Sequence, residues 1–154
     1  EQTPQPFLFK DETFRLRGAF FHVYRELGFG FLEAVTKCLG IEFAKRRIPF
    51  VAQTPLRLRY DGQILRQTYQ ADFVCFEQIV VELKAVRSLA PEHRAQLLNY
   101  LKATGLELGI LVNFGRSTGI EIERFARSSP LRILRRLRFI SRANGQLLSL
   151  PFAD

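Results

Sequence analysis

Methionine is absent from this chain and cysteine occurs only twice, at Cys38 and Cys75. Two cysteines are too few for a disulfide framework and lack the paired spacing of a zinc site, so they read as buried thiols of a reducing, cytoplasmic compartment. Long apolar runs are missing as well. The stretch IVVEL is interrupted by Glu82, and nothing approaches the ~20 apolar residues of a membrane-crossing helix, which predicts a soluble protein. No secretory signal opens the sequence, and a first residue of Glu in a chain without Met reads as a trimmed piece.

The chain has 154 residues, 47% of them apolar and 25% charged. That suits one globular domain with a real core and excludes a disordered tail, a collagenous fibre and a knottin. The formal net charge is +8. Residues 116 to 154 hold eight Arg against three acids, a balance of +5, while residues 1 to 115 hold fifteen bases against twelve acids, a balance of +3. A polyanionic partner fits this excess, because Lys and Arg displace counterions condensed on phosphates. A solvated basic surface accounts for the same charge.

Nothing repeats, and GRSTG at 115–119 is the one linker-like cluster. It predicts a core over 1–115 and a basic extension over 116–154 packed on the same domain. Phe14, Ala19, Phe20, Val23 and Leu27 recur at helical spacing, which predicts a helix from Thr13 to Leu27 ended by Gly28 and Gly30, and a second from about Phe31 to Arg46. Pro49 and Pro55 flank an extended stretch. LRLRY at 56–60 alternates with period two, and Asp61-Gly62 marks a hairpin turn into the return strand ILRQTYQADFVC. IVVELKA at 79–85 is apolar enough for the centre of a sheet. Pro91 sits where a helix can begin, EHRAQLLNYLKAT runs to Gly105, and LELGILVNF at 106–114 reads as another buried strand. The expected class is α/β with a mixed sheet, in the order helix, helix, three-strand meander, helix, strand. In the tail, Asn144-Gly145 favours a hairpin over about 136–152 above a helix carrying Arg132, Arg135, Arg136 and Arg138 on one side.

Glu82 and Lys84 stand inside the most apolar strand, where an unpaired charge is costly to desolvate. Two apart, they share one sheet face, while Val81 and Leu83 take the other and can pack under a helix. If Phe76, Glu77 and Gln78 form the connecting loop, Asp72 falls opposite Glu82. Opposed carboxylates with side-chain carbons ~5 Å apart repel unless a cation or a shared proton lies between them. An oxygen-only donor set favours Mg²⁺ or Mn²⁺ over zinc. Lys84 beside the acids suits holding an attacking water or neutralising a phosphorane-like transition state. A buried Glu-Lys ion pair, with Asp72 in a turn or cap, explains the same residues. Glu33, in the first turn after Gly30, is a third acid that helix capping also explains. Gln96 and Tyr100, four apart beside a Leu stripe, can border the same cleft or form an ordinary boundary pair. His22 and His93 read as surface or hydrogen-bonded structural residues.

In order, ADF with Asp72, VELKA with Glu82 and Lys84, and QLLNY with Gln96 and Tyr100 resemble the core of the PD-(D/E)XK nuclease superfamily, whose helix, three strands, helix, strand order is the one read above. More narrowly, LGFGFLEAV, VVELKAV and AQLLNYLKATGLELGILVNFG resemble the bacterial GxxExxY proteins, over about residues 13 to 115. The resemblance implies that Asp72 and Glu82 ligate Mg²⁺, that the Leu83 carbonyl adds a ligand, that Lys84 positions or activates water, and that Glu33 assists metal binding. Gln96 and Tyr100 match the QxxxY element of the exonuclease-like branch. One departure is Thr36, which stands where the family pattern has Tyr and is expected to alter helix packing or a cleft wall.

The leading expectation is therefore a metal-dependent nuclease hydrolysing phosphodiester bonds in DNA rather than RNA, with Arg57, Arg59, Arg66 and the Arg-rich tail on the nucleic-acid backbone. A nucleic-acid-binding module that keeps the fold without its chemistry is the alternative. A peripheral membrane protein using the Arg-rich segment as an amphipathic helix is a third, opposed by the lack of a large hydrophobic face.

Overall fold

A computed structural model describes residues 8–127, 139–141 and 147–149. Helix α1 (Lys10–Leu27) begins ahead of the expected Thr13, its first turn carrying Asp11 and Glu12 where the helix dipole favours acids. Gly28, at φ 78°, ends it. Helix α2 spans Leu32–Lys45. Three antiparallel strands follow: β1 (Phe50–Tyr60), β2 (Gln63–Cys75) and β3 (Ile79–Lys84). Asp61 and Gly62 both take positive φ at the first hairpin, as an Asp-Gly turn requires. Helix α3 (Pro91–Thr104) opens on Pro91, and the Ala90 N–H donates to His93 Nδ1 at 3.0 Å, so His93 is a capping residue.

Helix α3 carries the chain across to β4 (Leu108–Asn113), which lies parallel to β3. The stretch after GRSTG, expected only as part of an extension, opens with β5 (Glu121–Ala126), an antiparallel edge strand on β4. The five strands lie in sequence order in one sheet. Beyond it, β6 (Phe139–Ser141) pairs with β7 (Leu147–Ser149), in keeping with the expected hairpin. Asn144, Gly145, Arg132, Arg135, Arg136 and Arg138 lie outside the described residues.

The sheet is covered on both faces. Leu16, Phe20 and Val23 of α1 and Leu39 and Phe43 of α2 pack on Phe73, Ile79, Val81, Leu83 and Ile110. On the other face Leu97 and Leu101 of α3 pack on Leu56, Tyr69, Val74, Val80 and Leu111. Alternation along β3 decides the rest: Val81 and Leu83 go under α1 and α2, so Glu82 and Lys84 share the α3 side with Val80.

Regular alternation fails at one level of β1 and β2. Tyr69 and Ala71 face α3, but Phe73 and Cys75, which have the same parity, face α1 and α2. On β1, Phe50 and Leu56 are divided in the same way. The ladder pairs Ala52 with Phe73 and Thr54 with Ala71, leaving Gln53 and Asp72 between them as unpaired surplus residues. Gln53 takes φ 51°, and the Gln70 amide donates to its carbonyl at 3.2 Å. The β2–β3 ladder ends at this level too, with Phe73 opposite Val81 as its last pair.

Candidate active site

Where that ladder ends, side chains replace it. The Asp72 N–H donates to Glu82 Oε1 at 3.3 Å, and the Leu83 N–H donates to Asp72 Oδ2 at 2.8 Å. The expected juxtaposition of residues 72 and 82 is therefore present, with each carboxylate held by a backbone N–H. Both groups are half-buried. Burial, opposed in part by the Leu83 N–H and by Lys84, pushes the Asp72 carboxyl up. Burial and then the Asp72 charge push Glu82 up to about 7, against the pull of Tyr69, the Asp72 N–H and Lys84. Lys84 acts on both acids through space, and no direct ion pair within 4.0 Å joins it to either among the described residues. The buried Glu-Lys pair that was the alternative at this position is not formed.

Each acid takes one backbone N–H, and Tyr69 acts on Glu82 as well. Two facing acids, both disfavoured as anions, and a nearby ammonium make an oxygen-only donor set that fits a hard divalent ion able to retain several waters. Among the described residues no three His, Cys, Asp or Glu side chains are grouped as a metal site, so a third protein carboxylate does not join the pair.

Glu33 is near in the fold without entering that pair. The Gly30 N–H donates to the Phe114 carbonyl at 2.6 Å, and the Phe114 N–H donates to the Lys84 carbonyl at 2.7 Å. This chain of bonds fixes the start of α2 to the end of β3. The Glu33 side chain itself is 88% exposed and takes Lys37 Nζ at 3.1 Å. Thr36 turns its hydroxyl onto the Leu32 carbonyl of its own helix at 2.8 Å. Arg57, Arg59 and Arg66 sit on the outer part of the β1–β2 hairpin, at and beyond a register shift between Arg57 and Arg59.

Gln96 and Tyr100 meet each other, Gln96 Nε2 donating to Tyr100 Oη at 2.9 Å. They approach the acids through Tyr69. The Tyr100 ring stacks on that of Tyr69 with centroids 3.4 Å apart and planes at 9°, and the Tyr69 hydroxyl lies within the influence of Glu82 and Asp72. Sequence reasoning missed Tyr69 for a definite reason. In an unbroken strand, residues 69 and 72 point to opposite faces, and only the surplus residue brings both to the α3 side. Asn113 was missed as well. Fully buried, it accepts from the N–H groups of Val86 and Gly115 at 2.9 Å each, and its amide donates to the Val86 carbonyl at 2.8 Å and to Glu121 at 2.9 Å. It pins the loop that follows Lys84, and the signal in the sequence is an amide closing an otherwise apolar strand.

Residues 10–125 match the family profile described as the PD-(D/E)XK nuclease superfamily. Among solved structures, a crystal structure of SSO0001 is similar at 19% identity and a TM-score of 0.48, over 77% of this chain and 59% of that one. No curated protein matches. Since the profile spans most of the chain and the paired acids and the Lys of the motif stand on adjoining strands, this chain belongs to the PD-(D/E)XK nuclease superfamily.

Proposed function

We propose that the chain is a Mg²⁺- or Mn²⁺-dependent nuclease that hydrolyses phosphodiester bonds in DNA, of the bacterial GxxExxY type. The observation that carries this reading is the pair of N–H-held carboxylates, Asp72 and Glu82, placed where the sheet ladder stops and left without a direct cationic partner. Asp72 and Glu82 would hold the ion, with the Leu83 carbonyl beside them and Glu33 assisting from the start of α2. Bound there, a divalent ion supplies a Lewis acid and lowers the pKa of water. Lys84 orients the attacking water, or neutralises the phosphate oxygen that gains charge in an in-line displacement. Gln96 and Tyr100 border the cleft, and Arg57, Arg59, Arg66 and the basic tail bind the polyanion. Substrate of this kind and the lack, among the described helices, of one long and apolar enough to cross a membrane fit a cytoplasmic setting.

Purified protein incubated with labelled single-stranded, duplex and branched DNA, and with RNA, in Mg²⁺ or Mn²⁺ tests the reading. Cleavage of DNA that disappears with chelator and with Lys84→Ala is expected. Cleavage surviving both Asp72→Ala and Glu82→Ala overturns it. The engagement of Glu33 by Lys37, which leaves two acids at the site, favours one second reading: a nucleic-acid-binding module without chemistry. That reading predicts salt-sensitive DNA binding with no uptake of Mn²⁺.

A further inference from the structure

Tyr69 lies on β2 opposite Leu56, only 8% exposed, and its hydroxyl is buried without a partner in hydrogen-bond geometry. A buried hydroxyl left in this state costs stability unless it serves something. It is not idle in its surroundings. The neighbouring charged groups that act on it are Glu82 and Asp72, and with burial they hold the phenol well above its ordinary range. Tyr69 shares the α3 side of the sheet with Glu82, whose Oε1 takes the Asp72 N–H. Its ring is fixed by the face-to-face stack on Tyr100, whose own hydroxyl is held by Gln96.

We propose that Tyr69 is a positioning residue of this site: its hydroxyl donates to the ionised Glu82 carboxylate and sets how that carboxylate is presented to a divalent ion, while Tyr100 acts on the site through the stacked ring. The inference rests on the metal-dependent reading above. It assigns to the aromatic ring of Tyr100, rather than to its hydroxyl, the larger part of that residue's effect. It also places on β2 a fourth polar group of the site, beside Asp72, Glu82 and Lys84.

Tyr69→Phe keeps the ring and its stack and removes the donor. Titration calorimetry with Mn²⁺ should show affinity weakened by about 10- to 100-fold, the range for groups that orient metal ligands, with a parallel fall in cleavage rate. Tyr100→Leu, which removes the stack, should lower Mn²⁺ affinity more than Tyr100→Phe, which keeps it. Unchanged affinity and rate in Tyr69→Phe overturn the proposal. Should that variant fail to fold, equal losses in Tyr100→Phe and Tyr100→Leu overturn it instead. A parent protein that takes up Mn²⁺ but cuts nothing sinks the nuclease reading and leaves this proposal to the binding data. A parent that takes up no Mn²⁺ sinks both.

Discussion

Glu42 is buried and Glu82 half-buried, and their surroundings treat them in opposite ways. Glu42, at the α1–α2 interface, accepts from Arg46 Nε at 2.7 Å and has His22 Nε2 at 3.8 Å. The Arg46 hydrogen bond overrides burial and holds its carboxyl below the ordinary range. Glu82, where β2 and β3 part, has a backbone N–H, a neighbouring carboxylate and a buried phenol, and its carboxyl rises to about 7. A structural acid is one whose charge the fold has already neutralised. An acid left with a charge its own fold disfavours is a candidate for chemistry, since a ligand can supply what is missing.

The sharpest division between the two is in cleavage. Asp72→Ala or Glu82→Ala should lower Mg²⁺-dependent DNA cleavage by about 10³-fold, several kcal/mol of transition-state stabilisation, while Glu42→Gln leaves the rate unchanged in the same assay. Next comes a variant that breaks the frame instead of the ligands. A Cβ on Gly115 would lie 2.3 Å from both N and O of Val86, so Gly115→Ala should cost about 3 kcal/mol in urea unfolding by displacing the loop after Lys84. Loss of cleavage in that variant should follow its loss of fold.

Stability against pH separates the glutamates by sign. Glu82, raised from 4.5 to about 7, binds its proton more tightly folded than unfolded. Its contribution is fully present below pH 4.5 and is lost as pH rises to about 7. Glu42 is lowered, so its contribution is present above pH 4.5 and lost only under stronger acid. The metal-free protein should therefore melt roughly a few degrees lower at pH 8 than at pH 5.5. Glu82→Gln should flatten that difference, Glu42→Gln should not, and Mn²⁺ should restore the pH 8 value. The smallest effect is expected for Arg46→Ala, about 1 kcal/mol of stability through the lost Glu42 hydrogen bond, with cleavage retained.

The pairing of Asp72 with Glu82 is legible in the sequence. Charges inside an apolar strand singled out Glu82 and Lys84, and the length of the Phe76–Gln78 loop put Asp72 opposite Glu82. Those inferences rest on local rules, period two and turn length, that tertiary packing seldom overturns. What stayed hidden depends on longer range. Nothing about Gln53 announces a positive φ, a conformation more often given to Gly, Asn or Asp, and without that surplus residue Tyr69 reads as pointing away. β5 was hidden for another reason. EIERFA lies at the sheet edge with five of its six residues only partly buried, so its pattern is weak, and the Gly-rich stretch before it looks like the end of a domain.

The surplus residues have one more implication. With Gln53 and Asp72 both removed, the neighbours of each would alternate without interruption, and Phe50, Leu56, Tyr69 and Phe73 would keep the sides they now occupy. An ordinary ribbon is thus latent in this one, separated from it by a matched pair of insertions. The acid proposed to bind the ion is itself one of the two inserted positions, so the scaffold and its chemistry are, at this point, severable.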